Sequence, residues 1–221
     1  MKKFAWLPNT IRDPLVLLKN NYHQRMRRRE LRKVLRNRSD KKIILGAAQT
    51  HFPGWISTDY PTVDITRRES MSRHFKAGAV SAFLAEHIWG HLTPEQAATA
   101  FRNCYEALVS GGYLRMAVPD GLHPDPVYIE RVKPGGSGLG SDDHRMLYTY
   151  ETLSSLLEAA GFKIKLLEYF DENGKFHYSE WSSDVGMITR SNRFDKSNTI
   201  KPNAYTSLIV DALKSSCQNP G

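Results

Sequence analysis

The side chains that could do chemistry fall into two groups. The first is histidine and carboxylate: Glu86 and His87 close an apolar run, His91 follows shortly, Asp120 ends the next apolar run, and Asp143 and His144 stand at the far end of a long loop. Removing a proton from a hydroxyl near neutral pH calls for an imidazole steered by a carboxylate. His87, His144 and Asp120 are therefore the candidate catalytic residues. Each has a plainer alternative: His87 as a helix-cap residue, His91 as structural, His144 as a tie between the loop and the body. No metal is expected, because these residues do not follow the His-Glu-x-x-His pattern that puts two ligands on one helix face. The second group is Gly46-Ala47-Ala48, directly after the apolar run Ile43-Ile44-Leu45, with Asp59 at the end of the following apolar stretch. In doubly wound sheets a glycine turn after the first strand lets a nucleoside cofactor approach the backbone. An acid ending the second strand then accepts hydrogen bonds from the ribose hydroxyls.

Those residues need a parallel sheet to bring them together. Lys42 to Leu45 reads as a buried strand and Trp55 as the start of a second one, so residues 46–54 are a stub crossover where a helix would be usual. Val63 and Asp64 suggest a return to the sheet, and Arg67 to Lys76 is expected to be irregular. Val80 to Glu86 is the next strand. Thr93-Pro94-Glu95-Gln96 combines an N-cap, a helix-start proline and a capping-box glutamine, so a helix from Pro94 to about Val109, closed by Gly111-Gly112, is expected. Tyr113 to Val118 is a strand. The glycines and prolines of residues 121–143 predict a loop without regular elements, acting as a lid or substrate loop. Tyr150 to Ala160 is a helix stopped by Gly161, and Phe162 to Tyr169 is a strand. Asn173-Gly174 turns that strand back into residues 176–181 as a hairpin. Thr206 to Leu213 is the final strand. Trp89, Tyr128 and Trp181 are either an aromatic substrate wall or core.

With 221 residues, 40% of them hydrophobic, the chain can bury one full core. The expected division is a basic helical extension over 1–42, an α/β domain over 43–215 and a frayed tail over 216–221. Charge follows that division: residues 1–42 hold fourteen Lys and Arg against three Asp and Glu, while the remainder is slightly acidic. Asp13-Pro14 opens a helix reaching about Arg38, with Leu15, Leu18 and Tyr22 expected to pack on the sheet. Arg25 to Arg38 carries eight cations beside a thin apolar stripe of Leu31, Val34 and Leu35. That stretch fits an anionic membrane surface, nucleic-acid phosphates, a charged substrate, or simply a solvated face. No apolar run is long enough for a bilayer, which suggests a cytoplasmic protein, at most peripheral to the inner membrane face. Two cysteines, Cys104 and Cys217, suggest no disulfide framework.

Leu45-Gly46-Ala47-Ala48, Gly54-Trp55-Ile56-Ser57-Thr58-Asp59, Ala85-Glu86-His87, Gly90-His91-Leu92, Gly111-Gly112 and Leu114-Arg115-Met116-Ala117-Val118-Pro119-Asp120 come in the order and spacing of one family. From residue 43 to about 170 the chain resembles the class I S-adenosylmethionine-dependent methyltransferases. The branch most like it is a small bacterial one associated with polysaccharide biosynthesis. The resemblance implies a Rossmann-like α/β sheet, mostly parallel with an antiparallel C-terminal strand and helices on both faces. It further implies S-adenosyl-L-methionine as cofactor, held by Gly46, Ala47, Ala48, Asp59, Glu69 and Glu86, and a small-molecule or saccharide acceptor methylated on oxygen. The first motif is degenerate. Ala48 replaces the second glycine, Arg68 stands where the adenine acid is expected with Glu69 beside it as a stand-in, Ser81 replaces an aspartate, and Gly90 replaces a glutamate. A relative that kept the fold and lost methyl transfer, serving as a binding or scaffold protein, is the alternative. A nucleic-acid methyltransferase or binder is a weaker one.

Overall fold

The computed structural model describes residues 14–216, so Asp13, the expected first cap, and residues 217–221 lie outside the described residues. The chain divides into an N-terminal unit ending at Ser39 and a body beginning at Asp40. In the first unit, helix α1 spans Pro14–Arg36. The packing expected of Leu15 and Leu18 falls outside the described side chains, and Tyr22 is 61% exposed.

In the body, β1 (Lys42–Leu45), β2 (Trp55–Ser57), β3 (Val80–Glu86), β4 (Leu108–Pro119), β5 (Lys163–Phe170), β6 (Phe176–Tyr178) and β7 (Ser207–Leu213) form one sheet, in the order β2-β1-β3-β4-β7-β5-β6. β2, β1, β3 and β4 are mutually parallel. β7 runs antiparallel between β4 and β5, and β6 folds back on β5 through the Asn173-Gly174 turn. This is the fold class expected. The β1-to-β2 connection is indeed a helix-free stub. Because β2 and β3 flank β1 on opposite sides, the chain reverses direction across the sheet between β1 and β3. The carboxyl ends of those strands therefore open the crevice where such folds hold ligands.

Alternation along the strands sends Phe83, Leu114 and Met116 to one face and Ile44, Leu84, Ala117 and Ile209 to the other. The first face meets α3 (Pro94–Ala107), whose capping box is present: Gln96 N donates to the Thr93 hydroxyl and Thr93 N donates to Gln96 Oε1. Ala97, Ala100, Phe101 and Cys104 of α3 are fully buried, and Phe101 stacks on Trp89 at 4.9 Å. Helix α5 (Tyr150–Ala159) packs on β5 beside it. The second face is covered by an irregular segment from Trp181 to Phe194, with Trp181 and Ile188 buried in one cluster with Ile44, Leu84 and Ile209.

Four local expectations are corrected. Arg67 to Lys76 is not irregular: Arg68–His74 is helix α2, docked on α3, with Met71 buried and Phe75 set edge-on against Phe83. One apolar anchor within the helix and one at its C-cap leave no periodic signal, so tertiary burial decides the helix. The long loop contains helix α4 (Pro126–Val132), capped where the Asp125 carboxylate accepts from Val127 N at 2.9 Å. That Asp-Pro start was legible. Gly111-Gly112 does not end a helix; α3 stops at Ala107 and β4 runs through both glycines. A Cβ at Gly112 would meet the Ser81 carbonyl oxygen at 2.9 Å, so close strand pairing selects glycine there. Val63, read as a return to the sheet, is buried in a turn rather than a strand.

Candidate functional site

At the carboxyl end of β1 the backbone turns through Gly46 at φ +61° and Ala48 at φ +46°. Ala47 N donates to Thr58 O at 2.9 Å, which lashes the turn to the end of β2. Asp59 follows directly, exposed, with Oδ2 accepting from Ala48 N at 3.1 Å and Oδ1 accepting from Tyr60 N at 2.8 Å. Each of these oxygens has a further lone pair. The structure thus brings Gly46, Ala47, Ala48 and Asp59 together as expected. No ion pair engages Asp59 among the described residues.

The turn is narrow. A Cβ added at Gly46 would overlap the Ile88 Cγ2 methyl, so the isoleucine leans directly on the glycine. Ala48 holds a left-handed conformation that costs a residue with a Cβ of the order of 1 kcal/mol. His87, at the end of β3 next door, is left-handed as well, at φ +57°. Two strained non-glycine residues side by side at a strand-end crevice mark the place as more than a connection.

The other two residues expected at the cofactor are Glu86, at the end of β3, and Glu69, on α2. The Glu86 carboxylate accepts from Thr189 N (3.1 Å), Thr189 Oγ1 (2.6 Å) and Arg190 N (2.8 Å), and so fastens the segment covering the second face. Glu69 lies exposed in the first turn of α2, next to Arg68, which pairs with Glu106 of α3 at 3.1 Å.

The catalytic candidates separate by what each is already bonded to. Ser207 Oγ donates to Arg190 O at 2.6 Å, so it must accept from His87 Nε2, 2.8 Å away. His87 therefore carries a proton on Nε2. Burial, then the positive charge of Arg190 and the neighbouring His144 and His91, hold its pKa well below the usual histidine value. His144 Nδ1 faces Val132 O of α4 at 2.7 Å, a bond within the long loop region and not the expected tie to the sheet. Asp120 is fully buried: Oδ1 accepts from Leu122 N (3.0 Å) and Oδ2 from Phe170 N (2.8 Å), so it joins the start of the loop to β5 rather than facing a crevice. His91, read from sequence as structural, is the histidine with a carboxylate partner here. Its Nδ1 lies 2.6 Å from Asp143 Oδ1, its ring is edge-on to His144 at 4.6 Å, and the pair is partly exposed. That arrangement leaves Nε2 as the proton acceptor. The pairing was invisible in sequence because 52 residues separate the partners.

Burial pushes the Asp120 carboxyl up to about 6 against the pull of its two amide donors. A folded-state value above the unfolded one means the native state keeps this proton after the unfolded chain has released it. Asp120 therefore costs stability progressively as pH rises from about 4 to about 6. Over that window the parent should lose up to about 3 kcal/mol relative to Asp120→Asn in urea titrations. Parallel pH profiles for the two proteins would show instead that the carboxyl is ionised throughout.

Trp89, Tyr128 and Trp181 are all buried, and all three are packing residues. The Tyr128 hydroxyl accepts from Asp120 N and donates to Thr206 O, and Trp181 Nε1 donates to Glu168 Oε1 at 2.9 Å. Among the described residues there is no cluster of metal-ligating side chains, and no helix is long and apolar enough to cross a membrane.

The sheet order, the antiparallel strand between β4 and β5 and the crevice between β1 and β3 define a Rossmann-like methyltransferase fold. Among solved structures the chain is similar to an S-adenosylmethionine-dependent methyltransferase, a possible histamine N-methyltransferase, from Thermotoga maritima. That likeness has a TM-score of 0.50 and 13% identity, covering 89% of this chain and 95% of the other. It is also similar to an S-adenosylmethionine-dependent methyltransferase from Archaeoglobus fulgidus (TM-score 0.46, 15% identity, 91% of this chain and 100% of the other). A third such enzyme, from Mesorhizobium loti, matches with TM-score 0.45 and 13% identity over 83% of this chain and 95% of that one. No family model and no curated protein matches the sequence. Identities this low establish the architecture alone.

Proposed function

We propose that the chain is an S-adenosyl-L-methionine-dependent methyltransferase acting on a hydroxyl oxygen of a saccharide or another cell-envelope precursor. The observation that carries the donor half is Asp59: an exposed carboxylate at the end of β2, oriented by two backbone amides and set against the turn after β1. Its free lone pairs suit the two adjacent hydroxyls of a ribose. The backbone of Gly46 to Ala48 would line the rest of the donor. When bound, the donor would supply an electrophilic methyl group needing little activation. What this chain would add is position and a base. His91, steered by Asp143, is the best-equipped base; His87 is a neutral neighbour with a depressed proton affinity. The acceptor half of the proposal rests on analogy with the family that the motifs between Leu45 and Asp120 resemble.

Methyl transfer to a panel of glycan acceptors should fall at least about 100-fold in His91→Gln, with loss of the acidic limb of the pH–rate profile and unchanged donor affinity. An unaltered pH profile would remove His91 from the role of base.

A second reading, a module that kept the fold without methyl transfer, is favoured by Ile88 leaning on Gly46 and by Glu86 being consumed in fastening residues 189–190. Calorimetry with S-adenosylmethionine and S-adenosylhomocysteine separates the two. Micromolar binding that depends on Asp59 supports the enzyme, and no binding at millimolar ligand supports the module.

A further inference from the structure

Helix α1 contains a stripe that no role in the body accounts for. Arg25, Arg29, Arg32, Lys33 and Arg36 recur at i, i+4, i+7, i+8 and i+11, so at 3.6 residues per turn they share one side of the helix over roughly 16 Å. All five are exposed, while Leu31 and Leu35, on another side, are buried. Neighbouring cations three and four positions apart repel and oppose the helix that holds them. Glu30 is the sole acid in the 23 residues of α1, and no ion pair engages any of the five among the described residues. Exposed Tyr22 and Met26 continue the stripe, at i and i+4 ahead of Arg29 and Lys33.

We propose that this face of α1 docks on an anionic phospholipid surface. Uncompensated charge of one sign calls for a partner of the other. A row along one side of a helix presents its cations to a plane. Arginine, four of the five, grips phosphate oxygens with two parallel N–H donors. Tyr22 and Met26 decide between phosphate-bearing partners: a lipid interface accepts an aromatic and a thioether side chain among its headgroups, whereas a nucleic-acid backbone offers Met26 nothing to bury against. A single tyrosine also falls short of the row of stacking rings that single-stranded nucleic acid uses. The inference is independent of methyl transfer.

The test is co-sedimentation of the full chain with vesicles of phosphatidylcholine alone and of phosphatidylcholine mixed with phosphatidylglycerol, at low and high salt. Binding is expected to the anionic vesicles only and to weaken as salt rises. It should fall about 5-fold for Arg29→Gln and about 1000-fold when all five cations are changed to Gln. Met26→Gln should weaken it at high salt, where charge is screened. The single exposed substitutions keep the test valid should the fivefold variant fold poorly, and donor affinity should be unchanged in each. Equal binding to neutral vesicles, undiminished binding of both charge variants, or release from anionic vesicles by duplex RNA that binds the same stripe more tightly would each overturn the proposal.

Discussion

Arg115→Ala is expected to destabilise the body by about 3–5 kcal/mol, the range for removing one partner of a buried ion pair. Arg115 is 2% exposed in the middle of β4. Its Nε and one terminal nitrogen donate to the two oxygens of Asp211, its cross-strand partner on β7, at 2.7 and 2.8 Å. The other terminal nitrogen donates to the carbonyls of Ser182 and Gly186, at 2.7 and 2.8 Å. The guanidinium also lies over the Trp181 ring at 5.1 Å. Truncation leaves the partly buried Asp211 carboxylate without its partner and frees the segment that closes the second face of the sheet. Denaturant titration should read the loss directly, and the melting temperature should drop by roughly 10 °C or more. Arg115→Lys should recover part of it, since a lysine keeps the charge but cannot reach the carboxylate and both carbonyls with a planar fork. A loss under about 1 kcal/mol would mean that the segment is held mainly by its apolar contacts.

Asp59→Ala is expected to weaken S-adenosylhomocysteine binding by about 1–3 kcal/mol, a factor of roughly 5 to 150, with little effect on stability. The carboxylate is exposed, so its removal leaves Ala48 N and Tyr60 N to water rather than orphaned in the core. Asp59→Asn should lose less, because one acceptor oxygen remains for one hydroxyl. Titration calorimetry of the three proteins decides it. Ligand that still binds with undiminished affinity to Asp59→Ala would place the donor away from the end of β2, and the proposed donor site would fall with it.

Much of the architecture was legible because local rules happened to be obeyed. The Thr93-Pro94-Glu95-Gln96 start of α3 satisfies its orphan amides within one turn, and Asn173-Gly174 adopts the backbone its hairpin needs, whatever surrounds it. The largely apolar strands β1, β3 and β7 announce a sheet buried on both faces. Helix α2 went unread because its two anchors, Met71 and Phe75, make sense only once α3 and Phe83 lie beside them. At the site, Asp59 was legible for the same reason as α3: it needs only the end of its own strand and the turn beside it. The bonding of Glu86 was not, since nothing near a glutamate that ends a strand announces that it will meet the amides of Thr189 and Arg190, 103 and 104 residues on. His91 was passed over because its partner, Asp143, arrives from the far end of the long loop.

The sequence by itself determined the strand and helix order, the turn after β1 and the acid across from it, since each of these depends on φ/ψ preference and on hydrogen bonds within a few residues. Tertiary structure alone decided what the charged residues are for. Asp120, Glu86, Glu168 and the Arg115–Asp211 pair became fasteners of loops and of the cover over the sheet, and His91 acquired Asp143 as its partner. A buried charge must find its counterpart wherever the chain happens to bring one, and that meeting is set by the packing of the whole body, not by any neighbour in the sequence.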